Sequence, residues 1–189
     1  DGFSFPFFGQ TYTGAYVNSN GRLSFNSGDT RYTESFEIFT SQPNIAIFFD
    51  DLHPGRSPGA VFYKQLPDRF VVTWDRVQQF SFGGSNTLQL TIFIDGRVSF
   101  AYNGLSARGA FVGLSTGESL GATALDLSAA PFFVNQPVSI YERFNIGNSE
   151  FDLDGNFVVF TPRENGFDID VIPLGVPVDP DPDPDPPSV

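Results

Sequence analysis

The chain has 189 residues, no cysteine or methionine, and a formal net charge of -12. That length allows one domain with a substantial core, while the missing cysteines exclude a disulfide framework and a thiol nucleophile. With one lysine (Lys64) against nine arginines, the acidic surface argues against nucleic acid and anionic membranes as partners, and no apolar run reaches the roughly 20 residues that span a bilayer.

Composition points to an all-β chain: 23 phenylalanines, 19 glycines and 15 prolines, with no convincing helical period. The aromatic-glycine opening is Phe5-Pro6-Phe7-Phe8-Gly9-Gln10-Thr11-Tyr12. Ala15-Tyr16-Val17 and Arg22-Leu23-Ser24-Phe25 flank the turn residues Asn18 to Gly21, where Asn and Gly tolerate the positive φ of a tight hairpin. Residues 26–40 are polar with scattered aromatics and read as a long surface loop. Ile45 to Phe49 is a continuous apolar run bounded by Pro43-Asn44 and Asp50-Asp51, the pattern of a strand covered on both faces. Ala60 to Tyr63 and Phe70 to Trp74 follow as strands.

The clearest hairpin runs from Thr87 to Tyr102 and turns at Asp95-Gly96. If the turn is the two-residue type, Ile94 lies opposite Arg97 and Phe93 opposite Val98. One face then carries Leu88, Leu90, Ile92 and Ile94, and the other Phe93, Val98, Phe100 and Tyr102. Two apolar faces need cover on both sides. Loops or C-terminal strands are one source of it. A second subunit is another, which makes Phe93, Val98, Phe100 and Tyr102 self-association candidates. Val138 to Phe144, Phe157 to Thr161 and Phe167 to Ile172 read as further strands of the same sandwich.

In their order and spacing, the opening, Val17-Asn18-Ser19-Asn20-Gly21, Ile45-Ala46-Ile47-Phe48-Phe49-Asp50-Asp51-Leu52, Val71-Val72-Thr73-Trp74 and Asn86-Thr87-Leu88-Gln89 resemble the nidogen-like extracellular domain. The resemblance runs from about Phe3 to Ser115. It implies a secreted or cell-surface module of adhesion or matrix building, without known catalysis. The absent cysteine and the tail described below suggest the microbial surface-protein type.

Candidate chemistry is sparse. His53 is the only histidine, and a set of Ser57, His53 and Asp50 or Asp51 lacks the G-x-S-x-G turn of a nucleophile elbow. In the resembling family an aspartate commonly follows the apolar strand, which marks Asp50 and Asp51. As oxygen ligands they suit calcium, with Asp75 as a further donor; the alternative is a pair capping exposed turn amides. As neighbours on an extended strand they point to opposite faces and cannot flank one glycosidic bond. Glu150, Asp152 and Asp154, followed by Gly155, match the first, third and fifth positions of an EF-hand-like loop, but Thr161 stands where the bidentate acid belongs. A tight polar turn is the other reading. No enzymatic activity and no cofactor other than calcium is expected. Tyr12, Tyr16 and Tyr32 are candidates for stacking on glycans.

The last stretch is a strict Asp-Pro repeat, Asp179 to Pro187. Proline fixes φ and the carboxylates repel, so an extended polyproline II spacer of roughly 30 Å is expected. The organisation expected is therefore an antiparallel β-sandwich over 1–175 and an acidic tail over 176–189. The chain begins at Asp1 without a methionine, which reads as a processed chain or an excised fragment. The leading function is a structural or adhesive module in a surface layer, matrix or fibre. A filament subunit that docks its tail or a terminal strand on the next copy is a variant, with Arg22, Arg97 and Arg108 as candidate contacts for the tail. The alternative is a carbohydrate-binding module of a secreted hydrolase.

Overall fold

The computed structural model describes residues 3–56, 58–106, 108–145 and 151–175; Ser57, Glu150 and the Asp-Pro repeat lie outside them. In chain order the elements are β1 (Phe5–Phe7), β2 (Gln10–Tyr12), β3 (Tyr16–Asn18), β4 (Arg22–Ser24), α1 (Phe36–Phe39), β5 (Pro43–Phe49), β6 (Leu52–His53), β7 (Ala60–Gln65) and β8 (Arg69–Gln79). They continue with β9 (Gly83–Phe93), β10 (Val98–Tyr102), β11 (Ala110–Thr116), β12 (Thr123–Ala124), β13 (Phe132–Val134), β14 (Ile140–Phe144), β15 (Asn156–Arg163) and β16 (Gly166–Pro173). The described residues are all-β apart from α1 and a 3-10 turn at Leu127–Ala129.

Two sheets face each other. One runs β13-β16-β15-β10-β9-β8, with β6 and β7 sharing the far edge of β8; the other runs β12-β14-β11-β5-β4-β3. Only β12 and β14 pair in parallel among the described strands. Between the sheets, Leu23, Ile45, Ile47 and Leu114 meet Val72, Trp74, Leu90, Phe100 and Phe160, all fully buried. Each such side chain contributes about 1.5–3 kcal/mol by leaving water. Two aromatic tips tie the sheets together across this core. Trp74 Nε1 donates to the Asn18 carbonyl at 3.2 Å, and the Tyr102 hydroxyl donates to the Ile47 carbonyl at 2.8 Å.

The hairpin of β3 and β4 forms as its Asn-Gly turn requires, with Asn18 opposite Arg22. Gly21 has φ +68 and presses on β5: a Cβ there would lie 1.9 Å from the Phe48 carbonyl oxygen. Its own carbonyl accepts from both Ile47 and Phe48, at 3.1 and 3.2 Å. Two consecutive amides on one acceptor make a β-bulge. The register between β5 and β11 shifts at the same place, with Phe49 opposite Phe111 but Ala46 opposite Gly113. Ile47 and Phe48 therefore both point into the main core.

The expected loop over 26–40 contains α1. The Ser35 hydroxyl caps it by accepting from the Ile38 amide at 3.2 Å. Phe36 and Phe39, three apart, face the same way and pack with Ala46, Phe49, Phe111 and Tyr141 in a second, smaller core. This core covers the outer face of β5, which is why its run from Ile45 to Phe49 is apolar throughout.

The hairpin of β9 and β10 differs from expectation by one residue. Val98 pairs with Ile92, Phe100 with Leu90 and Tyr102 with Leu88. Ile94, Asp95 and Gly96 form a three-residue loop in which the Asp95 carboxylate accepts from the Arg97 amide at 3.0 Å and the Phe93 amide donates to the Arg97 carbonyl. A one-residue slip moves a strand's whole apolar set to the other face. All six paired residues thus share the core face, and Gln89, Thr91, Ser99 and Ala101 line the opposite one. Of the self-association candidates, Val98, Phe100 and Tyr102 are buried in the protein's own core; only Phe93 is on the outer face. The C-terminal strands do not cover that face either: β15 extends the sheet alongside β10.

Candidate functional site

Beneath the loop that follows β4 lies a buried ion pair that sequence reading missed. Arg22 is fully buried, its Nη2 lies 2.8 Å from Asp29 Oδ2, and its guanidinium stacks 3.8 Å above the Phe49 ring. Arg31 grips the same carboxylate from outside at 2.6 Å. Burial works to raise the Asp29 pKa, but the hydrogen bonds from Arg31 and the charges of both arginines prevail and hold it at about 2. Asn18 Oδ1 accepts from the Asp29 amide at 2.7 Å, and Asn20 reaches the Arg31 carbonyl on one side and the Leu52 amide on the other. The asparagines of the turn motif thus lace the loop to both sheets. Their role is structural.

Asp50 and Asp51 separate as neighbours on an extended chain should. Asp50 is buried and accepts from Gln79, whose amide group also holds the Arg108 backbone through both its atoms at 3.1 Å. Burial pushes the Asp50 carboxyl up to about 6 against the opposing Gln79 bond, and the nearby Glu34 adds to the rise. Asp51 is half-buried and raised by burial, opposed by the charges of His53 and Arg56. Asp75 is held by Arg76 at 3.0 Å. The His53 ring stacks on Phe80 at 5.5 Å between centroids and its Nδ1 lacks a partner.

In the other acidic segment, the Ser128 hydroxyl lies between Asp126 at 2.7 Å and Asp152 at 3.0 Å, with one proton to share between the two carboxylates. Asp154 accepts from the Gly104 amide at 2.9 Å. Glu142 accepts from the Leu127 amide at 2.8 Å and is raised to about 7, first by burial and then by the charges of Asp152 and Asp126. No group of three or more His, Asp or Glu side chains converges as metal ligands among the described residues. Asp154 and Glu142 cap backbone amides, while Asp152 meets a serine hydroxyl.

The outer face of the larger sheet carries a shallow groove of about 340 Å³. Val71, Thr91, Phe93, Ser99, Phe157 and Val159 form its floor, with Arg69 and Arg97 at one end. Arg97 stacks on Phe93 at 4.7 Å. Phe62 stands exposed on β7 beside this face. Tyr16 and Tyr32 are exposed as a glycan-stacking role would need, whereas Tyr12 packs on Phe25 at 4.4 Å and belongs to the core.

A family model described as NIDO related matches residues 2–162, which takes in β1 to β15 as far as Pro162 but not β16. Alpha-tectorin of Mus musculus is 31% identical over 125 residues, 50% of this chain and 6% of that relative. Alpha-tectorin of Gallus gallus is 30% identical over 128 residues, 51% of this chain and 6% of the relative. The Homo sapiens protein is 30% identical over 125 residues, 50% and 6% respectively. The chain therefore spans about 6% of the length of these relatives. No solved structure matches it.

Proposed function

The chain belongs to the NIDO-related family, and from that premise we propose that it is a non-catalytic extracellular module of a surface layer, matrix or fibre. It works through protein–protein contacts with further copies of itself or with other surface proteins. The observation that carries this reading is the match across residues 2–162. Two features support it. Of the carboxylates singled out by sequence, Asp50, Asp75, Asp152 and Asp154 are engaged by the protein's own amides, hydroxyls and arginines. No helix among the described residues is long and apolar enough to cross a membrane. The lack of cysteine and the Asp-Pro repeat favour a microbial surface protein.

Assembly is tested by sedimentation of the full chain across concentration, with electron microscopy of the concentrated fractions. Oligomers or fibres are expected. A monomer at every concentration removes self-assembly, and reproducible hydrolysis of a peptide or glycan removes the non-catalytic reading.

The groove on the larger sheet favours a second reading, a glycan-binding face. Phe93 and Phe157 offer apolar surface for a sugar ring, with Gln89, Thr91 and Ser99 as hydrogen-bonding groups. A glycan array decides it: binding lost in Phe93→Ala supports the reading, and an empty array ends it.

A further inference from the structure

Six of the nine arginines meet a carboxylate within 4 Å: Arg22, Arg31, Arg69, Arg76, Arg97 and Arg163. Among the described residues, Arg56, Arg108 and Arg143 do not. Arg143 lies over Phe111 in the smaller core. The other two, exposed as Arg143 is, reach one place: Arg56 from the loop after β6 and Arg108 from the loop after β10 both stand against the turn joining β8 to β9. Arg56 stands over Phe80 at 5.0 Å and Arg108 over Phe82 at 5.6 Å. Both rings are about half exposed, at 48% and 51%. The arrangement is held: Arg56 Nη1 donates to the Phe80 carbonyl at 2.9 Å, and Gln79 grips the Arg108 backbone. In a chain of net charge -12, two exposed arginines with no carboxylate within 4 Å among the described residues, though Asp51 feels the charge of Arg56, each stand above an exposed ring and form a platform for a ligand both anionic and apolar.

We propose that this platform binds the acidic proline-rich segment Asp179–Pro187 of the same chain. Aromatic surfaces recognise polyproline II because that helix is preformed and loses little entropy on docking. With three residues per turn, one face of the repeat presents Asp179, Pro182 and Asp185 at steps of about 9 Å. Pro182 then meets the exposed surface of Phe80 and Phe82 between Asp179 and Asp185, which meet Arg56 and Arg108. The point of departure favours binding within one molecule. The Leu174 amide donates to the Gly155 carbonyl, and Gly155 to the Tyr102 carbonyl. Gly104 is tied to Asp154, and Ser106 to Ser85 beside the turn. The chain therefore leaves the sandwich at the end that carries the platform. An extended helix leaving Gly175 would reach about 12 Å over the four residues to Asp179 and about 37 Å over the twelve to Pro187. Of the arginines considered for the tail from sequence, Arg22 is buried and Arg97 is engaged by Asp95, which leaves Arg108.

The absence of cysteine makes Ser188→Cys a unique labelling site in the full chain. A nitroxide placed there should broaden the amides of Phe80 to Gly84 and of Ser106 in dilute solution, independently of concentration. The broadening should vanish in Arg56→Gln/Arg108→Gln and in 1 M salt, where the Debye length is about 3 Å. A second variant, Asp179→Asn/Asp185→Asn, leaves the sandwich untouched and should also weaken it. A synthetic Asp-Pro repeat peptide should displace the segment at millimolar concentration, the order of the effective concentration set by a short linker. Broadening absent from the turn, unchanged in the double arginine variant, or seen only between labelled and unlabelled copies overturns the proposal. None of these readouts involves an external partner, so their failure leaves the proposed function standing.

Discussion

Replacing Gly21 by alanine tests whether the β3–β4 turn is locked onto the bulge of β5. Two costs add. At φ +68 any L residue carries the left-handed penalty of about 1–2 kcal/mol. The new Cβ also falls 1.9 Å from the Phe48 carbonyl oxygen, so turn or bulge must withdraw by roughly 1 Å or more to reach ordinary contact. That withdrawal strains the two bonds from Ile47 and Phe48 to the Gly21 carbonyl, worth about 0.5–1.5 kcal/mol each. The sum is about 2–5 kcal/mol, a large share of the 5–15 kcal/mol typical of a domain. Gly9→Ala is the internal control. Its φ is +78, yet nothing lies within 4 Å of the new Cβ, so only the conformational penalty of about 1–2 kcal/mol remains. The single tryptophan, Trp74, is fully buried and reports unfolding in urea by fluorescence. The Gly21 variant should lose more stability than the Gly9 variant by at least 1 kcal/mol. Equal losses would refute the lock.

Asp50 is raised to about 6, so the folded state binds its proton more tightly than the unfolded chain does. Its contribution turns unfavourable as pH rises from about 4 through 6. Asp50→Asn should therefore stabilise the protein at pH 7 by up to about 3 kcal/mol, with the gain gone near pH 4 in urea melts. Asp29 has the opposite sign: held at about 2, it supplies stability above pH 4 that is lost as pH falls toward 2. Asp29→Asn, which leaves the buried Arg22 unpaired, should cost about 3–5 kcal/mol at pH 7, and a loss below 1 kcal/mol would contradict the buried-pair argument. Tyr102→Phe leaves the Ile47 carbonyl without its donor and should cost about 1–3 kcal/mol by urea unfolding. Thermal melts in millimolar calcium and in chelator should share one midpoint, since Asp50, Asp152 and Asp154 are already engaged; a midpoint raised by calcium would restore an ion site.

What was legible in the sequence was whatever depends on neighbours along the chain. The apolar run at Ile45–Phe49, the alternation from Leu88 to Ile92 and the Asn-Gly turn before Arg22 each declare themselves within a few residues, because backbone sterics and the two-residue period act locally. Carboxylates next to turns were legible for the same reason: Asp154 accepts an amide as a turn carboxylate does. Relations between elements were not. Alternation shows that Leu90 and Phe100 each have a core face, but which way β10 faces β9 depends on the loop length at Ile94-Asp95-Gly96, and a one-residue difference reverses it. Burial of all six apolar residues on one side selects the longer loop. In α1 the hydrophobic signal is only Phe36 and Phe39 behind a capping serine, and four residues are too few for a helical period to emerge. Its existence depends on the second face of β5, far along the chain, needing cover. Arg22 reads locally as a solvated charge at a strand end. Only the folded loop, by bringing Asp29 and the Phe49 ring against it, makes a buried cation tolerable there.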